Sequence, residues 1–450
     1  MYGKDSLGVA LRVLIVGAVA LLAAVGARTA RPTTVTLPPG NTVAQWNKIA
    51  EDTVVGSGAF QNEGLQYMAY VSTAVYDATV ALDHRYQPLL ASFRAWSQAS
   101  RDAAIVEAAH KTLDHYFPAA APTVDAYAAE ALAAIPNGPA KLSGRKIGDV
   151  AADQVIRWRT GDGLVTPIAS TSRFALHAPG PGVWRLTPSA FQAPQTPWVG
   201  SMQPFILSSA GQFLPAPPPS LSSPTWVAAY NEIKAVGGAT STVRTAEQTN
   251  VAKFYTANVI RQFNGAVRQL ADSRHLDLVD TARLAAMVNV TGADAGISVM
   301  RAKYHYLFWR PVTAIDPTSV SADGMGPTPG FDDRNAATAE QQGWRPLLTT
   351  PNHPEYPGAH PTLTSAMAEV FASFLGTQRI DLDLHGFDPN GPAGNLNAVR
   401  HLTTTDDLRT EIVNARLWGG LHYRFSSMAG LELGRKVATY DLSRAFGKTG

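Results

Sequence analysis

The chain has 450 residues, 37 lysines and arginines against 35 aspartates and glutamates, and no cysteine. A net charge of +2 with no run of like charge excludes a nucleic-acid-binding tail and a polybasic membrane patch, so any positive field has to be local. Without cysteine there are no disulfides, thiolate metal sites or lipidated cysteines, and packing of a large core has to hold the fold.

Taken in order, Lys4 and Arg12 precede the apolar run Val13 to Val25, and Val25-Gly26-Ala27 offers small-residue cleavage chemistry. Residues 1–27 therefore read as a signal peptide for secretion or export to the periplasm, with an uncleaved anchor as the alternative. No later segment is apolar enough to span a bilayer, so no membrane or nucleic-acid partner is expected of the exported chain. From Asn41 to Leu82 apolar residues recur at three- and four-residue steps, which predicts helix. Ser97 to Ser100 caps a helix to about Tyr116; further helices follow over Thr123 to Ile135 and about Ala140 to Arg159. His110 and His115 fall there on different faces and read as structural. Residues 165 to 224 hold twelve prolines and little periodicity, yet Trp184, Phe191, Trp198 and Phe205 argue for a cover packed on the helices rather than a solvated tether. The expected division is an N-terminal helical region with this cover, residues 28–225, and a C-terminal helical region, residues 226–450.

In the second region, helix is predicted over Pro224 to Val236, then from the capping-box match Thr245-Ala246-Glu247-Gln248 to about Ala271. Another begins near Asp277 and is expected to run through Lys303 until Pro311 ends it. Pro361 suits a first helical position and opens Thr362 to Leu375. Asp381 to Thr403 reads as loop, Thr405-Asp406-Asp407 begins a helix bearing Arg416, and Ser426 is a candidate cap for the last one, ending near Phe446. Strand alternation is scarce, so the predicted class is all-α, a helical bundle with long Pro-rich loops.

Three segments carry the chemistry. In Lys303-Tyr304-His305-Tyr306-Leu307-Phe308-Trp309-Arg310-Pro311 two cations flank an aromatic run. On one helix they would share a face roughly 10 Å apart. No carboxylate lies between Lys303 and Asp316, so a buried pair would need a bound oxyanion. His305 points elsewhere. In Tyr356-Pro357-Gly358-Ala359-His360-Pro361, His360 stands where loop becomes helix, and Gly358 and Ala359 let main-chain amides approach an anion. His353 and Glu355 are close by. A capping histidine or a zinc ligand are the alternatives, although no H-E-x-x-H pair supports zinc. Arg416 and His422 are six apart, about 120° around a continuous helix, and converge only if Gly419-Gly420 breaks it.

Lys-x6-Arg-Pro, Pro-Gly-Ala-His and Arg-x5-His, in that order on separate segments, resemble the three-part signature of vanadium-dependent haloperoxidases and the related type 2 phosphatidic-acid-phosphatase (PAP2) enzymes. The wider resemblance runs from about Trp46 to the C-terminus. It implies that His422 bonds vanadium axially, or is the phosphorylated nucleophile in a phosphatase. It implies further that His360 is the acid–base group and that Lys303, Arg310 and Arg416 hold the equatorial oxygens beside the Gly358-Ala359 backbone. The implied cofactor is vanadate, whose site phosphate can also occupy, and the implied partners are hydrogen peroxide and halide, or a phosphate ester.

Two departures stand out. Gly358-Ala359 replaces the family's Ser-Gly, removing a hydroxyl contact to the oxyanion. Ser426 replaces an aspartate often found four residues after the second histidine, so the group orienting His422 has to come from elsewhere, a main-chain carbonyl being the expectation. The expected function is halide oxidation by peroxide, with acid phosphatase activity or a degenerate oxyanion-binding protein as alternatives. His353 matches a position that is phenylalanine in fungal chloroperoxidases and histidine in algal bromoperoxidases, which favours bromide or iodide.

Overall fold

Several helices start where the chain supplies a capping side chain. Asn41 accepts the Ala44 N–H and opens α1 (Thr42–Gly56), and Ser100 accepts that of Ala103 at α3 (Arg101–Tyr116). Reciprocal capping boxes open α7 (Ala246–Phe254), through Thr245 and Gln248, and α12 (Thr405–Trp418), through Thr404 and Asp407. The other helices are α2 (Gln61–Asp83), α4 (Ala121–Ala133), α5 (Pro139–Arg159), α6 (Pro224–Val236), α8 (Val259–Ser273), α9 (Leu278–Tyr306), α10 (Pro311–Ile315), α11 (Ala359–Leu375) and α13 (Arg424–Arg444). The computed structural model describes residues 35–90, 98–166, 180–188, 191–316, 333–387 and 397–449. The leader expected over residues 1–27 lies outside them. Among the described residues no helix is long and apolar enough to cross a membrane.

The class is all-α, with one addition and several boundary corrections. The Asn41 to Leu82 stretch is two helices, broken at Ser57-Gly58, and the Thr245 to Ala271 stretch is likewise two, because Asn258 accepts the Ile260 N–H and starts α8 afresh. Ser426 caps nothing; it lies inside α13, whose N-cap is Tyr423. The expected loop Asp381 to Thr403 contains an antiparallel hairpin, β1 (Arg379–Gly386) and β2 (Ala398–Thr404), with Leu382 opposite Leu402. Ile380, Leu382 and Leu384 face inward at alternate positions, as a half-buried strand requires.

The core is built around α2 and α9, which are buried along nearly their whole length and pack on each other. One hydrophobic cluster joins α1, α2, α3 and α5 to α8, α9, α11, α12 and α13, across the position expected to divide the two regions. α11 and α13 approach closely because Gly434 has no side chain: a Cβ there would fall on the Thr362 carbonyl oxygen. That contact fixes the first turn of α11, which carries His360.

The described part of the Pro-rich cover is pinned to the bundle, as its aromatic content predicts. Trp184 N–H donates to Leu307 O (2.6 Å) and Trp309 N–H to Gly182 O (3.1 Å), making a short antiparallel bridge between Val183 and Phe308. The Tyr356 hydroxyl donates to Ala216 O (2.7 Å), and Asp294 on α9 accepts the N–H groups of Phe205, Ile206 and Leu207.

Candidate functional site

Lys303 and Arg310 meet, though not along one helix. α9 stops at Tyr306, Leu307 turns into the left-handed region (φ 48°), and Phe308 to Arg310 run extended into the bridge with residues 182–184. Pro311 therefore does not end α9; it opens α10 with Arg310 as N-cap. The residue before a proline avoids the helical region, and proline itself suits a first helical position, so the chain breaks before Arg310 rather than after it.

Lys303 and Arg310 have no solvent exposure. The Lys303 ammonium donates to the carbonyls of Pro354 and Glu355, both at 2.9 Å. Arg310 donates from Nε to His353 O (2.9 Å), from Nη1 to Leu421 O (3.0 Å), and meets His422 Nε2 at 3.3 Å and His353 Nδ1 at 3.0 Å. A guanidinium only donates, so the His422 Nε2 facing it is an acceptor, whereas His353 Nδ1 lies between the Arg310 Nη2 donor and the Pro354 carbonyl acceptor at 3.1 Å. Arg416, in the last turn of α12, is buried; its Nη1 reaches Tyr255 O at 3.4 Å and its Nε has no partner. Among the described residues none of the three cations forms an ion pair with a carboxylate.

The Gly419-Gly420 break does what the spacing requires. Gly420 turns at φ +75°, Leu421 and His422 return their N–H groups to Arg416 O, and the buried His422 imidazole comes back against Arg310. His360 is the second residue of α11, half-buried, behind an N-cap at Gly358 that supplies no side chain. His305 is exposed and points away. His110 lies elsewhere, paired with Asp114 (3.1 Å) and Asp125 (2.7 Å).

Sequence reasoning missed the role of Glu355. Its Oε1 accepts from His422 Nδ1–H (2.9 Å) and from the Tyr423 N–H (3.0 Å), and the residue is fully buried. The group that orients His422 is thus a carboxylate and not a main-chain carbonyl. The signal available was an acid enclosed by Pro354 and Pro357 five residues before His360, which on its own reads as a loop charge.

Burial moves every titration here, and for Lys303, Arg416 and the three histidines the neighbouring cations add to it. It pushes Arg416 down to about 9 beside Arg310, and Arg310 down to about 10, leaving both protonated at neutral pH. Lys303 is held well below the usual lysine range by burial, then by Arg310 and Arg416. His353, His360 and His422 are held well below the ordinary histidine value by burial and by the same cations, so all three are neutral. Burial raises Glu355 to about 7 against the pull of Lys303 and Arg310.

His422, with Nδ1–H on Glu355, turns the Nε2 lone pair inward. A nitrogen donor, three buried cations without carboxylate partners and an orphaned guanidinium N–H fit a tetrahedral oxyanion seated against Nε2. Vanadate, which can also take a bond from that nitrogen, and phosphate, held by charge and hydrogen bonds, are such anions.

Residues 283–447 match the family model described as the VCPO second helical-bundle domain. The vanadium chloroperoxidase of Curvularia inaequalis is 25% identical over 305 residues, 56% of this chain and 49% of that protein, so the chain matches about half the length of this curated relative. The crystal structure of the first bacterial vanadium-dependent iodoperoxidase superposes with a TM-score of 0.74 at 20% identity, covering 92% of this chain and all of that one. An apo-type bacterial vanadium-dependent chloroperoxidase gives 0.65 at 17% identity, covering 85% and 94%.

Proposed function

Because the chain belongs to the superfamily of vanadium-dependent haloperoxidases and type 2 phosphatidic-acid phosphatases, we propose that it is an exported vanadate-dependent enzyme oxidising halide with hydrogen peroxide, bromide or iodide in preference to chloride. The observation that carries the reading is the placement of His422: Nδ1 lies 2.9 Å from Glu355 Oε1 and Nε2 lies 3.3 Å from the Arg310 Nη1 donor, partners that assign the proton to Nδ1 and leave Nε2 bare beside the buried cations. Export rests on the basic and apolar pattern of residues 1–27.

In this reading His422 Nε2 would hold vanadate, Lys303, Arg310 and Arg416 would neutralise its oxygens, and the main-chain N–H groups at the Gly358-Ala359 start of α11 would be available to it. Bound vanadate supplies the Lewis acidity that makes peroxide oxygen electrophilic toward halide. His360, neutral and the most solvent-accessible of the site histidines, would serve as the group that accepts and returns a proton at the site. Lys303, anchored by the Pro354 and Glu355 carbonyls, would offer any remaining N–H to an oxygen of the bound anion. His353, bonded to Arg310, places an imidazole rather than an apolar ring in the same shell, which supports the halide preference.

The same His422–Glu355 pair would make Nε2 a competent nucleophile toward a phosphomonoester, and this is the second reading. The two separate in one assay. Metal-free protein given vanadate, peroxide and bromide should brominate a phenol-type dye, with phosphate competing against vanadate. If instead it hydrolyses phosphate esters, vanadate inhibits, and acid quench traps phosphate on His422, the phosphatase reading replaces this one.

A further inference from the structure

We propose that Glu355 is a specificity-determining positioning residue: by holding His422 in the Nδ1–H tautomer and strengthening Nε2 as a donor, it favours vanadate over phosphate. The inference rests on the oxyanion reading above and extends it to the choice between two anions of nearly the same shape.

The segment 353–355 is clamped from several sides. Its carbonyls take Lys303 Nζ twice and Arg310 Nε once, the Glu355 N–H donates to Phe308 O (2.9 Å), and prolines at 354 and 357 stiffen it. The Glu355 side chain therefore has little freedom, and both contacts of Oε1 go to residues 422 and 423. A plain counter-charge for Lys303 or Arg310 would bond those cations, yet their N–H groups go to main-chain carbonyls and to His353 and His422 instead. The carboxylate is directed at one imidazole nitrogen.

That direction has unequal consequences for the two anions. A carboxylate on the distal N–H of a ligating histidine fixes its tautomer and raises its basicity, an effect typically worth about 10- to 100-fold in metal affinity. Vanadate accepts a bond from Nε2 and gains from this. Ground-state phosphate stays tetrahedral and is held by charge and hydrogen bonds alone, so it gains nothing from a stronger donor. The negative charge of Glu355 opposes both anions alike, since it reduces the positive field made by Lys303, Arg310 and Arg416. Glu355 thus lowers phosphate affinity slightly while supporting vanadate.

The test is calorimetric titration of the full chain with orthovanadate and, separately, inorganic phosphate, in wild type, Glu355→Gln, His422→Ala and the double variant. Glu355→Gln should lower the vanadate-to-phosphate affinity ratio by about 10- to 100-fold, with phosphate affinity unchanged or higher. In the His422→Ala background the same substitution should leave the ratio unmoved, because the nitrogen it acts through is gone. Equal losses for both anions, or a ratio change that survives without His422, would overturn the proposal. A second measurement needs no variant: nitrogen NMR of the anion-free wild type should show His422 protonated at Nδ1 and bare at Nε2, and the opposite tautomer would overturn it. Wild-type protein that binds neither anion would overturn the oxyanion reading together with this one, whereas wild-type binding with an unchanged ratio in Glu355→Gln would overturn this one alone.

Discussion

Arg416→Met should raise or preserve the stability of the anion-free protein while removing most of its oxyanion affinity. Arg416 is 2% exposed, its Nε has no partner, and its one hydrogen bond to Tyr255 O is long at 3.4 Å. Without an anion the fold carries an uncompensated buried charge beside a second guanidinium, and the Glu355 carboxylate is committed to His422. Replacing even a buried ion pair by apolar side chains of similar volume is commonly neutral or stabilising by about 1–4 kcal/mol, and an unpaired buried charge has no Coulombic attraction to lose. With the anion bound, the same substitution breaks a buried charge pair, which costs about 3–5 kcal/mol, or roughly 10²- to 10⁴-fold in Kd. The two effects have opposite sign, which an ordinary packing defect would not produce. Thermal unfolding with and without saturating orthovanadate or phosphate reads both. The variant should melt at or above the wild-type temperature without anion, and should lose the anion-induced rise. A variant that melts several degrees lower without anion yet keeps that rise would show that Arg416 is a structural charge.

Three further expectations follow from particular residues. His353→Phe removes the imidazole beside Arg310 and puts an apolar ring in its place, so the ratio of chloride to bromide oxidation should rise; an unchanged ratio in steady-state assays would remove His353 from halide selection. Gly434→Ala drives a Cβ into the Thr362 carbonyl on the helix that carries His360, and should cost about 1–3 kcal/mol or more in denaturant unfolding, with wild-type stability contradicting the packing of α11 on α13. Asp441 is buried with neither carboxylate oxygen bonded, and burial followed by repulsion from Asp294 raises it well above the usual carboxylate range. A raised folded-state value gives stability that is complete below the unfolded value and lost as pH rises, so Asp441→Asn should become more stable than wild type by up to about 1.4 kcal/mol per pH unit above pH 4, until the folded group itself ionises. A difference that does not change with pH in urea titrations would contradict this.

The members of the site were legible one by one, and their arrangement less so. Arg310, His360, Arg416 and His422 are recognisable because each sits close to a proline or glycine that shapes its local backbone, and Lys303 because it is a cation in a run without a nearby carboxylate. The break before Arg310 depends on a bridge to residues 182–184, more than 120 positions away, and no local pattern announces it. Glu355 was hidden for a related reason: its partner His422 lies 67 residues on, and the nearer cue, Ser426 in place of an aspartate, showed only that something was missing. The fold class followed from helical periodicity, whose weak points were the ends. Asn258 restarts a helix inside a run that still looks apolar and periodic, and the hairpin strand with Ile380, Leu382 and Leu384 is short enough to be masked by the glycines and asparagines after it.

The central claim is that three buried cations and the Nε2 of His422 bind a single tetrahedral oxyanion. Equilibrium titration of the metal-free protein with orthovanadate tests it most directly. One vanadate should bind per chain, phosphate should compete for the same site, and His422→Ala should weaken vanadate far more than phosphate. Absence of saturable vanadate binding, or binding that neither phosphate nor His422→Ala affects, would contradict it.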